Sequence, residues 1–232
     1  MASVKDIIVK PIKASVANDY VRKHHYSGKV VPNSQLHFGC FLNGVMSFGP
    51  SMDKKKIQGL VKNTEWNDFL ELNRMAFGDL LPKNSESRCI SVAMKLIKKN
   101  YPNIKWIVSF ADGCQCGDGT IYRASGFVLT GISKNKTIIR MPDGSTIADI
   151  NLNLQLDSVK SRYDKMCGLD PMGHYTSNDY IKGGAKPLDG NMLRYIYFID
   201  KSKQKDLTVP IMPFSKIAEI GACMYKGVAY KK

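Results

Sequence analysis

Acidic residues are scarce in this sequence, which has 20 aspartates and glutamates against 34 lysines and arginines and a net charge of +14. Long apolar runs are absent as well, since no segment approaches the roughly twenty apolar residues that a membrane span needs. The amino terminus has no apolar core of the signal-peptide type, and neither repeats nor low-complexity segments occur. These absences speak against a membrane partner, and we expect a folded cytoplasmic protein.

The six cysteines lack the regular spacing of a disulfide framework, so we expect reduced thiols. Two of them, Cys114 and Cys116, are separated by one residue and would supply half of a tetrahedral metal site. No second pair of cysteines or histidines follows at suitable spacing. We therefore predict no metal site and expect both thiols to line or pack their loop.

The positive charge is concentrated in the first part of the chain. Residues 1–140 contain 21 basic and 10 acidic residues, whereas residues 141–232 contain 13 and 10. The lysines are interleaved with apolar residues, which indicates a folded basic surface rather than a disordered tail. Such a surface favours a polyanionic partner, nucleic acid first, although lysines that only keep the protein soluble are the alternative.

Apolar periodicity and turn signals predict strand, helix, two-strand hairpin, strand, helix, strand, helix and strand. In order, these are residues 6–12, 14–27, 36–49, 67–77, 85–100, 104–111, 119–125 and 127–132. The pair Asn43-Gly44 marks the hairpin turn because both residues tolerate positive φ. Ser85 is the expected cap of the second long helix. The order indicates an α/β (α+β) fold with a mixed sheet flanked by helices.

We expect residues 1–232 to form a single domain, with residues 141–190 as an insertion before the C-terminal strands. Residues 141–168 look helical, residues 173–190 are rich in turn signals, and residues 192–200 look like a strand. The tyrosines and lysines of the insertion suit contacts with a nucleic-acid backbone and equally suit ordinary surface decoration.

A loop rich in glycine and cysteine follows the buried strand that we predict to end at Asp112. The short helix behind it carries Tyr122 ahead of Gly126 and Phe127. The segment "IYRASGF" is similar to a signature of GNAT-type acyltransferases, whose order of elements also resembles this one. Over residues 5–135 this resemblance implies a GNAT-like fold, with Tyr122 as the general acid beside the sulfur of an acyl-CoA.

Five segments in register resemble the Mom family of bacteriophage Mu. They are "HHYSG", "FLELNRMAF", "LPKNSESRCISVAMKLIKK", "SFADG" and "GDGTIYRASGF". The resemblance implies an enzyme that acts in the host cytoplasm on duplex phage DNA, giving the exocyclic amine of adenine a carbamoylmethyl-type group that protects against restriction. It implies catalytic roles for Asp112, Tyr122, Ser87 and Arg74 and substrate binding by His25 and Tyr26.

These residues are compatible with this chemistry, but each of them also has a simpler structural interpretation. An adenine amine is a poor nucleophile, so a carboxylate such as Asp112 would help by taking its proton, while Tyr122 donates one to the leaving thiolate. Alternatively Asp112 caps its turn and Tyr122 packs through its ring. Strand alternation places Arg74 on the face of Leu72, either as a pocket cation or as an ion-pair partner of Glu71 or Glu86. Ser87 and the histidines could equally be ordinary surface residues.

The expected cofactor is acetyl-CoA or a related acyl-CoA, held where the helix of residues 85–100 begins. Ordinary GNAT enzymes have a glycine-bearing loop there, whereas this chain has "PKNSESR". The free amides of a helix start still bind an anion. The residues assigned to this cofactor site are Lys83, Asn84, Ser85 and Arg88.

Two further function classes remain open at this stage. One is an acetyltransferase that acts on a small molecule or a protein, which the basic surface disfavours. The other is a DNA-binding module without catalysis, which the presence of Asp112 and Tyr122 disfavours.

Overall fold

A computed structural model describes residues 4–41, 43–51, 53–78, 81–148, 152, 157–171, 173–225 and 228–229. The chain divides into two compact units. Unit 1 comprises Met1–Ala111, Gly119–Gly131 and Leu193–Lys216. Unit 2 comprises Asp112–Asp118, Ile132–Met192 and Ile217–Lys232. The prediction of one domain stays a prediction; the expected insertion, residues 141–190, falls in unit 2.

The strands and helices are as follows. The strands are β1 (Ile8–Pro11), β2 (Leu36–Phe41), β3 (Gly44–Gly49), β4 (Phe69–Phe77), β5 (Trp106–Asp112), β6 (Val128–Lys134), β7 (Ile138–Arg140), β8 (Thr146–Ala148), β9 (Lys186–Pro187), β10 (Asn191–Phe198), β11 (Met224–Tyr225) and β12 (Val228–Ala229). The helices are α1 (Ala14–His24), α2 (Lys54–Gln58), α3 (Ser85–Asn100), α4 (Thr120–Ala124), α5 (Asp157–Met166), α6 (Ser177–Lys182) and α7 (Ser215–Glu219). Two 3-10 helices lie at Val4–Asp6 and Lys201–Asp206.

The main sheet has the order β1-β2-β3-β4-β5-β10-β6. The pairs from β1 to β4 are antiparallel, whereas β4 and β5 are parallel. The predicted mixed sheet flanked by helices is therefore confirmed. The strand β10, which is distant in sequence, lies between β5 and β6, so only the tertiary structure completes the sheet.

The helices α1 and α3 pack on opposite faces of this sheet. On one face Val21 of α1 clusters with Val45 and Ala76. Gly39 pairs with Val45 and so belongs to the α1 face, which places the next residue, Cys40, on the other face. The thiol of Cys40 there contacts Cys89 of α3 and, through that hydrogen bond and burial, has a raised pKa.

A second apolar cluster stabilises the sheet where β4 and β5 begin. The rings of Phe69 and Trp106 stack at 4.4 Å between centroids. Val108, Ile196 and Phe198 belong to the same cluster and are also buried. The continuous apolar character of β5 fits a central strand covered on both faces, as the sequence predicts.

In unit 2, a small sheet of the order β8-β7-β9 shares a core with α5 and α6. The buried carboxylate of Asp164 accepts hydrogen bonds from Lys160 Nζ and from the Tyr180 hydroxyl, each at 2.5 Å. Burial and this carboxylate raise the pKa of Tyr180. Asp164 thus ties α5 to α6 through satisfied polar contacts.

Three local predictions need correction. Gly44 is not a turn residue: it pairs with Cys40 as the first residue of β3, where a Cβ atom would lie 2.4 Å from the ring of Phe77. Asn84 rather than Ser85 occupies the N-cap position of α3, and its side chain makes no capping hydrogen bond. Residues 141–168 are not uniformly helical, because Thr146–Ala148 form β8 and the described helix begins at Asp157. The other predicted strands and helices appear within a few residues of their expected bounds.

No helix among the described residues combines the length and apolar character needed to cross a membrane. The described residues also contain no group of three or more histidine, cysteine and carboxylate side chains that could hold a metal ion.

Candidate functional site

The main sheet opens between β4 and β5. The two strands pair only from Phe69 with Trp106 to Glu71 with Val108, although β4 continues to Phe77 and β5 to Asp112. Beyond these pairs β4 and β5 do not pair with each other in the described part of the chain, although β4 remains paired with β3 as far as Phe77. An unpaired stretch within a sheet leaves backbone groups available for a ligand.

A β-bulge lies in β4 at the start of this opening. Ser47 pairs with Arg74, but its neighbour Phe48 pairs with Leu72, so Asn73 is the extra residue. Adjacent residues of β3 point to opposite faces, and therefore so do Arg74 and Leu72. The prediction that these two share a face is wrong, because the bulge reverses the alternation and turns Arg74 toward the α1 face.

Arg74 is held on that face by two backbone carbonyls. Its Nε donates to Lys29 O at 2.8 Å and its Nη1 to Asn73 O at 2.7 Å. Its Nη2 has no hydrogen-bond partner among the described residues. Burial lowers the pKa of Arg74, and the negative charges that Tyr26 and Glu71 can carry act in the opposite direction. The guanidinium is thus positioned and keeps one free edge for an anion or a carbonyl oxygen.

Glu71 lies on the same face. Burial raises the pKa of its carboxyl group, whereas hydrogen bonds from Ser51 and Asn73 and the charge of Arg74 lower it. No ion pair with Arg74 within 4 Å is recorded for the described residues. Of the two alternatives for Arg74, the described residues thus show no ion pair, and Glu71 acts on the guanidinium only through its charge.

His25 follows α1 and comes close to Arg74. The backbone N–H of Ser27 donates to its Nδ1 at 3.2 Å, which assigns the ring proton to Nε2. Burial, and then the charge of Arg74, lower the pKa of His25 to about 4. The ring of Tyr26 lies 4.2 Å from that of His25, and half of Tyr26 is exposed. At neutral pH, His25 is thus an uncharged hydrogen-bond donor beside an aromatic surface.

The lowered pKa predicts a pH-dependent stability that His25→Gln removes. The unfolded chain gains a proton on this histidine below about pH 6.5 and the folded protein only near pH 4, so folding loses stability as the pH falls through this window. The loss amounts to at most about 3 kcal/mol. Urea unfolding between pH 4.5 and 7 should show a flatter pH dependence for His25→Gln than for the wild type.

His24→Gln is the matched control, because His24 is the preceding residue and is exposed. Its unfolding free energy should follow the wild-type pH dependence. A His25→Gln variant that also follows the wild-type curve would show that the histidine is not buried as described.

The start of α3 lies on the opposite face and has an unusual cap. Asn84 adopts the left-handed conformation, with φ 71°, that glycine usually supplies and that asparagine tolerates. Ser85 and Ser87 donate their hydroxyls back to Pro82 O and Asn84 O. Among the described residues, the backbone N–H groups of Glu86 and Ser87 have no acceptor. The helix start therefore offers free amides for an anion.

Three buried polar atoms have no partner in the described part of the chain. They are Nε of Arg88, in the first turn of α3, Nε1 of Trp106, at the start of β5, and Oγ of Ser109, in the middle of β5. Leaving such groups unpaired costs free energy, so unsatisfied polar atoms mark places where a ligand or water completes the contacts. The sequence analysis did not identify Ser109 as a site residue. The signal that could have identified it is a serine inside an otherwise apolar strand.

Tyr122 is buried on α4 beside the sheet. Its ring lies 5.4 Å from Phe127 and 5.3 Å from Tyr195 of β10. Tyr195 is fully buried, and a Cβ atom on Gly119, the residue before α4, would lie 2.4 Å from its ring. Glycine at this position allows the phenol to approach the helix start. Nothing in the sequence indicated that Tyr195 lies beside Tyr122.

Asp112 belongs to unit 2, and its carboxylate is held by neighbouring residues of that unit. Its Oδ1 accepts from the Cys114 N–H at 2.9 Å and its Oδ2 from Gln115 Nε2 at 3.0 Å. The carboxylate thus caps its turn, as one interpretation of the sequence expected, and it also accepts a hydrogen bond from the thiol of Cys114. Burial, and then the negative charge of Asp112, raise the pKa of Cys114 to about 12, which keeps this thiol protonated.

The predicted site residues therefore fall into separate groups. Within unit 1, His25, Tyr26 and Arg74 come together on the α1 face. On the other face, Ser85, Ser87 and Arg88 of the α3 start lie with Asn84, beside the exposed Lys83, and Tyr122 contacts β10. The opening between β4 and β5 lies between the two faces.

The sequence of this chain is similar to those of known proteins. Residues 6–216 match the model of the Mom protein family. A methylcarbamoylase Mom of Escherichia phage Mu is 33% identical over 220 residues, which cover 91% of this chain and 85% of that protein.

Solved structures with partial similarity include an acetyltransferase of Bacillus subtilis in complex with CoA, with 11% identity and a TM-score of 0.42. An IAA acetyltransferase from Bacillus cereus has 10% identity and the same TM-score. Each similarity covers 83% of this chain and 99% of the other. Because the sequence match extends over most of both chains, this protein belongs to the Mom protein family and is a transferase.

Proposed function

We propose that the protein modifies the exocyclic amine of adenine in duplex phage DNA and thereby protects that DNA from host restriction. The observation that carries this proposal is the 33% identity to a methylcarbamoylase along 91% of the chain. The net charge of +14 supports a polyanionic substrate. The protein would then act on phage DNA in the cytoplasm of the host.

The group transferred has two candidate forms. The name of the phage Mu relative denotes a methylcarbamoyl group, whereas the sequence resemblance led us to expect a carbamoylmethyl-type group. The two are isomers and both contain nitrogen. Acetyl-CoA by itself contributes only carbon, hydrogen and oxygen with its acetyl group, so the donor is either a related acyl-CoA that carries nitrogen or requires a nitrogen source as well.

A CoA-type donor fits the start of α3. The free amides of Glu86 and Ser87 and the unpaired Nε of Arg88 match the phosphate groups of such a molecule, and Lys83 adds charge beside them. Asn84 supplies the backbone turn that a glycine-bearing loop would otherwise provide. Once bound, the donor would supply the activated carbonyl carbon of a methylcarbamoyl group, whereas a carbamoylmethyl group would need a bond from the amine to a methylene carbon. The hydroxyl of Ser85 donates a hydrogen bond to Pro82 O and so positions this turn, and Ser87 lies at the edge of the turn.

The α1 face fits the nucleic-acid side of the reaction. Tyr26 is half exposed and offers a ring on which a base can stack, and the neutral His25 can donate a hydrogen bond to a base or phosphate. The free edge of Arg74 faces the same region and can hold a developing negative charge or a carbonyl oxygen. In this proposal Arg74 stabilises charge, and His25 and Tyr26 position the adenine.

Proton transfer is assigned to Asp112 and Tyr122. The exocyclic amine must lose a proton as the new bond to nitrogen forms, and a carboxylate can accept it. A leaving thiolate must gain a proton, which a phenol can donate. The turn-capping hydrogen bonds of Asp112 are compatible with this role because they fix the orientation of the carboxylate.

The test is expression of the protein in bacteria, followed by digestion of plasmid DNA to nucleosides and mass spectrometry. We expect a mass-shifted deoxyadenosine and resistance to restriction enzymes whose sites contain adenine. Because the two isomers have the same mass, hydrolysis must distinguish them: a methylcarbamoyl group releases methylamine, whereas a carbamoylmethyl group does not. Unmodified nucleosides from cells rich in soluble protein would refute the proposed function.

A further inference from the structure

A cavity in unit 1 is lined by none of the site residues predicted from the sequence. It has a volume of about 300 Å³ and opens where β4 and β5 begin. Its polar and aromatic lining consists of Gln35, Trp66, Asn67, Phe69, Tyr101 and Asn103. Leu70, the lining residue of β4 that is nearest to Arg74, lies four residues before it, or about 13 Å at the rise of a strand. The cavity is therefore separate from the α1-face site.

The lining of this cavity has the chemistry that recognises a nucleobase. Trp66 is half-buried and Tyr101 is 42% exposed, so both present ring surface to the cavity. The amide side chains of Asn67, Asn103 and Gln35 can each donate and accept hydrogen bonds, as the edge of a base requires. Stacking on aromatic rings combined with amide contacts to base edges is the usual mode of binding for unpaired bases.

A basic groove adjoins the cavity. It has a volume of about 390 Å³, is lined by Lys98, Lys105 and Lys201, and shares Ile104 with the cavity. No carboxylate lies within ion-pair distance of these lysines among the described residues. Asp200, the acidic residue of the groove, accepts hydrogen bonds from the backbone and hydroxyl of Ser202. The groove thus presents lysine charge with no ion-pair partner beside a cavity suited to a base.

We propose that this cavity and groove bind single-stranded nucleic acid, with one unpaired base in the cavity and the adjoining phosphates on the lysines. A stacked base pair presents no ring face to Trp66 and Tyr101, which is why the strand must be unpaired at this point. Extrusion of an adenine from a duplex, which the proposed function implies, leaves unpaired nucleotides beside the enzyme. The inference depends on the proposed function only for the origin of that strand.

The two tryptophans provide a direct readout. Trp106 is fully buried and stacked on Phe69, so a ligand in the cavity should quench the fluorescence of Trp66 alone. We expect a single-stranded ten-nucleotide DNA to quench it in a saturable titration, with affinity that falls as salt rises. A blunt ten-base-pair duplex of G·C pairs alone and free dAMP should each bind at least about 10-fold more weakly, because that duplex holds no adenine to extrude and offers no unpaired base, and dAMP lacks the adjoining phosphates.

Variants test each half of the proposal. Tyr101→Ala removes one exposed ring and should weaken binding of the single strand by about 10-fold. Lys98→Gln combined with Lys201→Gln should lower the slope of log K against log salt by about 0.7 for each lysine. The matched control combines Lys10→Gln with Lys23→Gln, exposed residues of β1 and α1, and should keep the wild-type slope.

The outcomes are separable from those of the proposed function, which nucleoside analysis measures independently. Absent quenching, equal quenching by the duplex, or equal affinity for dAMP and the single strand would each overturn the inference. So would a Tyr101→Ala variant that binds as the wild type does. Unmodified deoxyadenosine together with strand-specific quenching would refute the proposed modification but support the binding site.

Discussion

Asp112→Asn is expected to lower the rate of DNA modification by about 10²- to 10⁴-fold, the usual contribution of a general base. The substitution removes the ability to accept a proton and hardly changes the volume of the side chain. The turn should remain intact, because the Oδ1 of asparagine can still accept from the Cys114 N–H. The side-chain amide of Gln115 can rotate to present its oxygen to the new amide group. The rate of nucleoside formation with purified protein measures the effect.

Two further variants separate catalysis from turn capping. Asp112→Ala removes both acceptors, and the buried Cys114 N–H then lacks a partner, which should cost about 1 to 3 kcal/mol of unfolding free energy. Asp189→Asn is the matched control, since this exposed carboxylate also acts on Cys114 and has no assigned role. Its rate should equal that of the wild type. If Asp112→Asn modifies DNA at the wild-type rate, Asp112 only caps the turn.

Tyr122→Phe is expected to reduce the modification rate by about 10²-fold or more, because it removes the hydroxyl that donates the proton. The aromatic contacts with Phe127 and Tyr195 depend on the ring and should persist. The unfolding free energy should therefore change by no more than about 1.5 kcal/mol, the value of one typical hydrogen bond. Single-turnover rates at saturating DNA, compared with urea unfolding, separate the two effects.

Tyr197→Phe is the matched control for Tyr122→Phe. Tyr197 lies on β10, and its ring contacts the same Phe127 at 5.3 Å, but it has no role in the proposed reaction. Loss of the Tyr197 hydroxyl should leave the modification rate unchanged. Equal modification rates for the wild type and Tyr122→Phe would show that Tyr122 donates no proton and only packs through its ring.

The opening of the sheet explains how residues on two faces could act on one reaction. A nucleophile on one face and an activated group on the other must meet, and a continuous hydrogen-bonded sheet would block them. The pairing of β4 and β5 stops after Glu71 and Val108, and the bulge at Asn73 turns Arg74 toward the α1 face at this level. The proposed division of labour, with the base on one face and the donor on the other, follows from this opening.

The local elements were largely predictable from the sequence by itself. Apolar periodicity located α1, α3 and the strands up to β6, because these patterns reflect which side of each element is buried. The charge balance predicted a basic protein, and the five segments in register pointed to the family that the comparisons confirm. Each of these signals is local in the chain or depends only on residue types.

Other features arise from contacts between distant segments, and only the tertiary structure decided them. The face of Arg74 depends on the register between β3 and β4, where a single bulge residue reverses the alternation. The lowered pKa of His25 requires burial next to that arginine, and Tyr195 reaches Tyr122 only because β10 inserts between β5 and β6. Register, burial and strand insertion are properties of the folded chain, since each depends on residues that are neighbours in space and not in sequence.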